Sequence, residues 1–251
     1  MCIIVVKPRG AEPLKEELRN CFNNNSDGCG FVVNKGGVNI IRKGFFSFNR
    51  FYSCYKSMVD KDDPAVIHFR LATHGKIDGG NCHPFPVVKN KELLRATEVE
   101  TKSIVVAHNG IIDIDVRKKG ISDTMQFVID ILSDEAVRGN LYKSRAIQKL
   151  VKEYIGSGKL AFINSKGEIL MIGQFIKNRG IYYSNNGYLV TYKKYAGYIG
   201  EYYYSIYEER DRYMPCDLCD DVDGVEYDAP SGLYLCESCR RIMYSQEFKN
   251  K

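Results

Sequence analysis

The chain opens Met1-Cys2-Ile3-Ile4-Val5-Val6-Lys7, and that stretch decides how the rest is read. Removal of Met1 leaves one residue that carries both a thiol and a free α-amine. The α-amine has a reference pKa of about 8 and the thiol one of about 8.5, so near neutral pH the amine can take the thiol proton as attack begins. Cys2 to Val6, with its β-branched run, predicts a strand that carries this nucleophile on a rigid element. Three later stretches are expected to converge on it: His68-Phe69-Arg70-Leu71-Ala72-Thr73-His74-Gly75, His108-Asn109-Gly110-Ile111-Ile112 and Ser122-Asp123-Thr124.

The remainder of the composition narrows the class. With 251 residues, 44% hydrophobic and 27% charged, the chain can bury a core of its own, and no apolar run reaches the roughly 18 residues of a membrane span. No signal peptide is read at the N-terminus, which places the protein in the cytoplasm. Nine cysteines is an odd number, and four of them fall in two CxxC pairs, so reduced thiols are favoured over a disulfide framework. A net charge of +5 is too mild an excess to argue for a polyanionic partner by itself.

Taken in order, residues 13–22 read as a short amphipathic helix and Lys35-Gly36-Gly37 as a hairpin turn between two strands. Gly28-Cys29-Gly30 reads as close packing within a sheet rather than as a phosphate loop, because its spacing matches neither glycine motif. Ser47 to Val59 reads as a helix capped by Ser47 with Phe48, Phe51, Tyr52, Tyr55 and Met58 along one side, Ala65 to Ala72 as a strand, and residues 87–101 as a polar connection. Arg70 within or at the end of a strand is costly without an anionic partner. Ser122-Asp123-Thr124 opens a helix through Leu132, and a further helix is expected from Ala136 to Ile155 with Leu141, Ile147, Leu150, Val151 and Tyr154 inward. Two hairpins are expected, one about Asn164-Ser165-Lys166-Gly167 and one about Ser184-Asn185-Asn186-Gly187. The segment from Tyr182 to Tyr213, crowded with tyrosines, reads as sheet and domain packing before a partner surface or base stacking. This order suits an α+β fold of two stacked antiparallel sheets between helical layers.

Cys2 behind the initiator Met, the HxRxATHG run at 68–75, the HPF at 83–85, the HNGII at 108–112 and the SDT at 122–124 together resemble the class II glutamine amidotransferase domain. The resemblance covers about residues 2–205. It implies an N-terminal nucleophile hydrolase with an αββα sandwich, with glutamine as substrate and no cofactor in the chemistry. It implies that Cys2 attacks the side-chain amide of glutamine, that Asn109 and the Gly110 N–H hold the oxyanion, and that Arg70 pairs with the α-carboxylate. Asp123 would hold the α-ammonium, and Thr73 and His74 would line the same pocket. His68, His83 and His108 read as structural hydrogen-bonders, since the mechanism already has its base. Cys21, Cys29, Cys54 and Cys82 read as small buried residues. The family's synthases place a longer interval, with a helix, between the Asn-Gly and the Asp; here the two are 14 positions apart. No synthase domain follows, so the ammonia would pass to an acceptor on a separate synthase.

Residues 212–251 form a second expected domain. Cys216-x2-Cys219 and Cys236-x2-Cys239, with sixteen residues between the pairs, have the spacing of a four-cysteine zinc ribbon. Four thiolates leave no open coordination position, so the Zn2+ would be structural. Arg240, Arg241, Lys249 and Lys251 read as a solvated basic end rather than a nucleic-acid contact. Two other readings remain open at this point: a catalytically inactive fold serving with the ribbon as a binding module, and a hydrolase of another amide. Arg70 speaks against the last, because a neutral acyl substrate offers it no carboxylate.

Overall fold

The computed structural model describes residues 2–71, 77–117, 120–189, 216, 225–228 and 233–241. Met1, Thr73, His74 and Cys219 lie outside the described residues, as does most of the tyrosine-rich segment. The chain divides into two compact units, one of residues 1–45 with 55–191 and one of residues 46–54 with 192–251.

The first unit is mixed α and β with two antiparallel sheets. The first-strand expectation holds: β1 (Ile3–Lys7) is buried along its whole length, as a continuous β-branched run should be when covered on both faces. It pairs with β4 (Ala65–Phe69), which pairs with β2 (Cys29–Lys35), which pairs with β3 (Val38–Phe45). The turn between β2 and β3 is Gly36-Gly37 with φ of 56° and 86°, a pair of conformations that a two-residue hairpin requires and glycine adopts without strain. Gly30 in β2 has no room for a side chain: a Cβ would sit 2.5 Å from the His83 carbonyl oxygen and 2.3 Å from Lys43 Cβ. Close packing is therefore what this glycine serves. The other face of the sheet meets α1 (Lys15–Asn24), whose Phe22 stands edge-on to Phe69, and the part of α2 (Phe48–Met58) that belongs to this unit, where Tyr55 stands edge-on to Phe31.

The smaller sheet runs β5 (Phe85–Pro86), β7 (Val105–Asn109), β8 (Lys159–Ile163) and β9 (Ile169–Ile172). One apolar cluster joins Ile4, Val32 and Val66 of the large sheet to Val105, Ala107 and Ala161 of the small one. A second joins Val106, Leu160 and Phe162 to Met125, Phe127, Leu132 and Val151 of the helices. Full burial of each large side chain is worth about 1.5–3 kcal/mol, so these two clusters set the orientation of β7 and of the helix that begins at Asp123.

Four expectations are corrected. Residues 87–101 are not simply a connection, since they contain α3 (Lys91–Arg95), capped by Asn90, and β6 (Glu98–Thr101) at the edge of the large sheet. The single helix expected over 136–155 is two: α5 (Glu135–Asn140) and α6 (Arg145–Tyr154). Gly139-Asn140 weakens the first, and the Ser144 side chain accepts the Ile147 N–H to start the second with a new phase. Within α6 Val151 is buried while Leu150 and Tyr154 are exposed, the Tyr154 ring stacking on Phe127. The second hairpin turns at Arg179-Gly180, not at Ser184-Gly187: β10 (Ile176–Asn178) and β11 (Ile181–Tyr183) flank residues with φ of 47° and 83°. Finally, Cys54 is half-buried, unlike the buried Cys21, Cys29 and Cys82.

In the second unit, β12 (Glu226–Asp228) pairs antiparallel with β13 (Leu233–Leu235), and a helix of residues 237–241 follows. Cys216, Leu235 and Cys236 are buried together there. Among the described residues, no helix is long and apolar enough to cross a membrane.

Candidate active site

Cys2 sits one residue before β1, where the strand's pairing with β4 brings it beside the chain leaving β4. Ile3 lies opposite Phe69, and the next residues of that chain, Arg70 and Leu71, reach the thiol. The Leu71 N–H donates to Cys2 Sγ at 3.3 Å, and Sγ lies 3.5 Å from the Leu71 carbonyl oxygen. Burial pushes the thiol pKa up, partly offset by the Leu71 hydrogen bond and by the nearby Arg70 charge. The resting group is therefore a thiol, and a base is needed to make it a nucleophile.

Arg70 is fixed by its backbone, with its N–H donating to the Gly28 carbonyl at 2.8 Å and its carbonyl accepting from Asp27 at 3.0 Å. Only 8% of the residue is exposed. From the small sheet, β7 delivers His108-Asn109 at its end and then Gly110, with φ of 153°. A Cβ on Gly110 would stand 2.9 Å from both Gly158 Cα and His108 Nε2, so the backbone here approaches its neighbours more closely than any side chain permits.

Ser122 caps α4 (Asp123–Phe127) by accepting the Met125 N–H at 3.2 Å, and this places Asp123 on the first turn. The Asp123 carboxylate accepts the Ile112 N–H at 2.8 Å and the Thr124 N–H at 2.7 Å. Residues 111–117 carry no helix, in keeping with the short interval, and Asp123 nonetheless ties the HNGII loop to the helix. Thr124 Oγ1 donates a third hydrogen bond at 3.3 Å, and the carboxylate, with about four lone-pair sites, keeps one to offer.

Cys2, Arg70, Gly110 and Asp123 all line one cavity of about 360 Å3, within the usual range for small-molecule sites. Asn109, the other residue expected to act on the oxyanion, is 6% exposed and donates its Nδ2 to Ser184 Oγ at 2.8 Å, while its Oδ1 has no hydrogen-bond partner among the described residues. Thr73 and His74 are outside the described residues.

The three described histidines are neutral and buried. His68 Nε2 donates to the His108 carbonyl at 3.0 Å, and burial lowers the His68 pKa to about 3. Burial also lowers those of His83 and His108, and His108 Nδ1 pairs with Thr124 Oγ1 at 3.0 Å. His68 thus braces β4 against β7, and His108 braces β7 against α4. His83, expected as a hydrogen-bonder, has no ring-nitrogen partner among the described residues and packs against His68 and Phe85 instead. All three are poor proton carriers near pH 7.

Sequence reasoning missed the turn after β11. The Ser184 hydroxyl accepts the Ile4 N–H at 2.8 Å, and Asn185 Nδ2 donates to the Cys2 carbonyl at 2.8 Å. No local pattern could have shown this, because Ile4 and Ser184 are 180 positions apart.

In the second unit the sulfurs of Cys216, Cys236 and Cys239 lie within 4.8 Å of one another and could hold a metal ion. Four sulfurs at about 2.3 Å from a tetrahedral ion stand a little under 4 Å apart, so this spacing suits thiolate ligation.

No protein-family profile and no curated protein matches the chain. Among solved structures it is similar to a glutamine phosphoribosylpyrophosphate (PRPP) amidotransferase from B. subtilis complexed with ADP and GMP, with a TM-score of 0.45 and 14% identity. That alignment covers 73% of this chain and 41% of the enzyme. It is also similar to a structure described as the allosteric regulatory enzyme of purine biosynthesis, with a TM-score of 0.40 and 15% identity over 68% of this chain and 35% of the other. The chain thus spans less than half the length of either enzyme, and their activities are stated of them alone.

Proposed function

We propose that this protein releases ammonia from glutamine by the chemistry of class II glutamine amidotransferases. The observation that carries the reading is the meeting of a base-requiring thiol, a guanidinium and a carboxylate on one cavity, at Cys2, Arg70 and Asp123. L-Glutamine presents the complementary set: an electrophilic amide, a carboxylate and an ammonium. Arg70 pairs with the α-carboxylate and Asp123 accepts from the α-ammonium. Thr73 and His74 complete the pocket. This fixes the amide carbon beside Cys2 Sγ.

The reaction runs in two halves. Once Met1 is removed, the Cys2 α-amine takes the thiol proton as sulfur attacks the amide carbon. The oxyanion is held by the Gly110 N–H and Asn109, and loss of one such donor costs about 3–4 kcal/mol of transition-state stabilisation. The C–N bond then breaks, the ammonium form of the amine returns the proton to the leaving nitrogen, and ammonia departs. Water attacks the thioester to give glutamate and restore the thiol. The ammonia goes to an acceptor on a separate synthase.

The architecture belongs to the same reading: residues 2–205 form an αββα N-terminal nucleophile domain, and residues 212–251 a ribbon in which Cys219 joins the three clustered cysteines around a structural Zn2+. Glutamate release from L-glutamine tests the function. The mature protein is expected to produce it, Cys2→Ala to produce none, and Arg70→Ala to raise KM about a hundredfold, as loss of a charge-assisted bidentate pair should. Equal turnover by wild type and Cys2→Ala would contradict the proposal.

A further inference from the structure

We propose that Ser184 is the positioning residue that sets which end of the Asn109 carboxamide faces the reacting centre. The proposal rests on the glutaminase reading above. Ser184 is fully buried directly after β11. Its backbone N–H donates to the Ile4 carbonyl at 3.0 Å and its Oγ accepts the Ile4 N–H at 2.8 Å, so it brackets a residue two positions from the nucleophile. Its carbonyl accepts from Lys159 Nζ, and its neighbour Asn185 holds the Cys2 carbonyl. The hydroxyl is thus anchored from several sides before it meets Asn109.

That same Oγ accepts Asn109 Nδ2 at 2.8 Å. With both lone pairs taken by N–H donors, the hydroxyl proton has to point elsewhere, and Asn109 Oδ1 is left buried without a partner among the described residues. A half-turn of the carboxamide resolves this. Oδ1 then accepts the Ser184 O–H, Oγ keeps the Ile4 N–H, and Nδ2 is released to donate to an oxyanion. Only a group that both donates and accepts can hold Asn109 in either orientation, and a hydroxyl is such a group.

The test uses the full chain with Met1 removed and compares Ser184→Ala, Ser184→Thr, Asn109→Ala and the Asn109→Ala/Ser184→Ala double variant. Turnover of L-glutamine and the rate of Cys2 alkylation by iodoacetamide, a displacement that forms no oxyanion, are measured together. Ser184→Ala is expected to lower kcat roughly 10–100-fold with KM changed less than about threefold, and to leave the alkylation rate as in the wild type. Ser184→Thr, which keeps the hydroxyl, restores most of kcat. In the Asn109→Ala background the Ser184 change costs nothing further, because it acts through Asn109. Additive losses, or an alkylation rate that falls in step with kcat, would show that Ser184 acts through β1 and overturn the proposal. An unchanged kcat in Ser184→Ala overturns it while leaving the glutaminase reading intact. A wild type that hydrolyses no glutamine overturns both.

Discussion

The two ends of the chain use cysteine in opposite ways. At the N-terminus Cys2 stands beside an arginine on a cavity, its sulfur hydrogen-bonded to the Leu71 backbone, and burial raises its pKa. At the C-terminus three sulfurs crowd within 4.8 Å beside Leu235. The proposed function makes the same atom a reagent where it stands next to open space and a ligand where it is one of several. What differs is the number of sulfurs and what surrounds them.

The sharpest way to break that contrast is to exchange the lesions. Cys236→Ser is expected to abolish bound zinc, measured by elemental analysis of the full chain, and to leave the rate of Cys2 alkylation unchanged. Cys2→Ala should do the reverse and keep one equivalent of metal. Coupled losses would mean that the two cysteine sets do not act independently. A smaller effect concerns pH. Because burial raises the Cys2 thiol pKa, the neutral form dominates near pH 7 and reactivity must grow as protons are removed. Alkylation of Cys2 should therefore rise about tenfold per unit from pH 6 to 7 and flatten above the amine's reference value near 8. A rate that stays flat down to pH 6 would instead reveal a preformed thiolate.

Much of the first unit was legible because its signals are local. The β-branched run after Cys2 specified a strand, the paired glycines at 36–37 specified a hairpin, and Ser122 specified a helix start. The order of the Cys2, Arg70, Asn-Gly and Asp123 segments was equally readable, and Arg70, Gly110 and Asp123 do reach the cavity with Cys2. The failures have physical causes. Ser184-Asn185-Asn186-Gly187 has turn chemistry, but its side chains spend their hydrogen bonds on Cys2, Ile4 and Asn109, contacts that no short-range pattern encodes. Leu150 and Tyr154 share α6 and its apolar spacing with the buried Val151, yet stay exposed, because how much of a helix face is covered depends on tertiary neighbours and not on spacing. The engagement of Asn109 by Ser184 is likewise tertiary, since it depends on β11 lying next to β1.

The central claim is that Cys2 is an activated nucleophile in a glutamine-shaped pocket. Its most direct test is the intact mass of the purified protein before and after exposure to a diazoketone analogue of L-glutamine. The account predicts a chain lacking Met1 that gains a single adduct, with no adduct in Cys2→Ala. Retention of Met1 with no adduct formed would contradict it, and would leave the fold as a binding module instead.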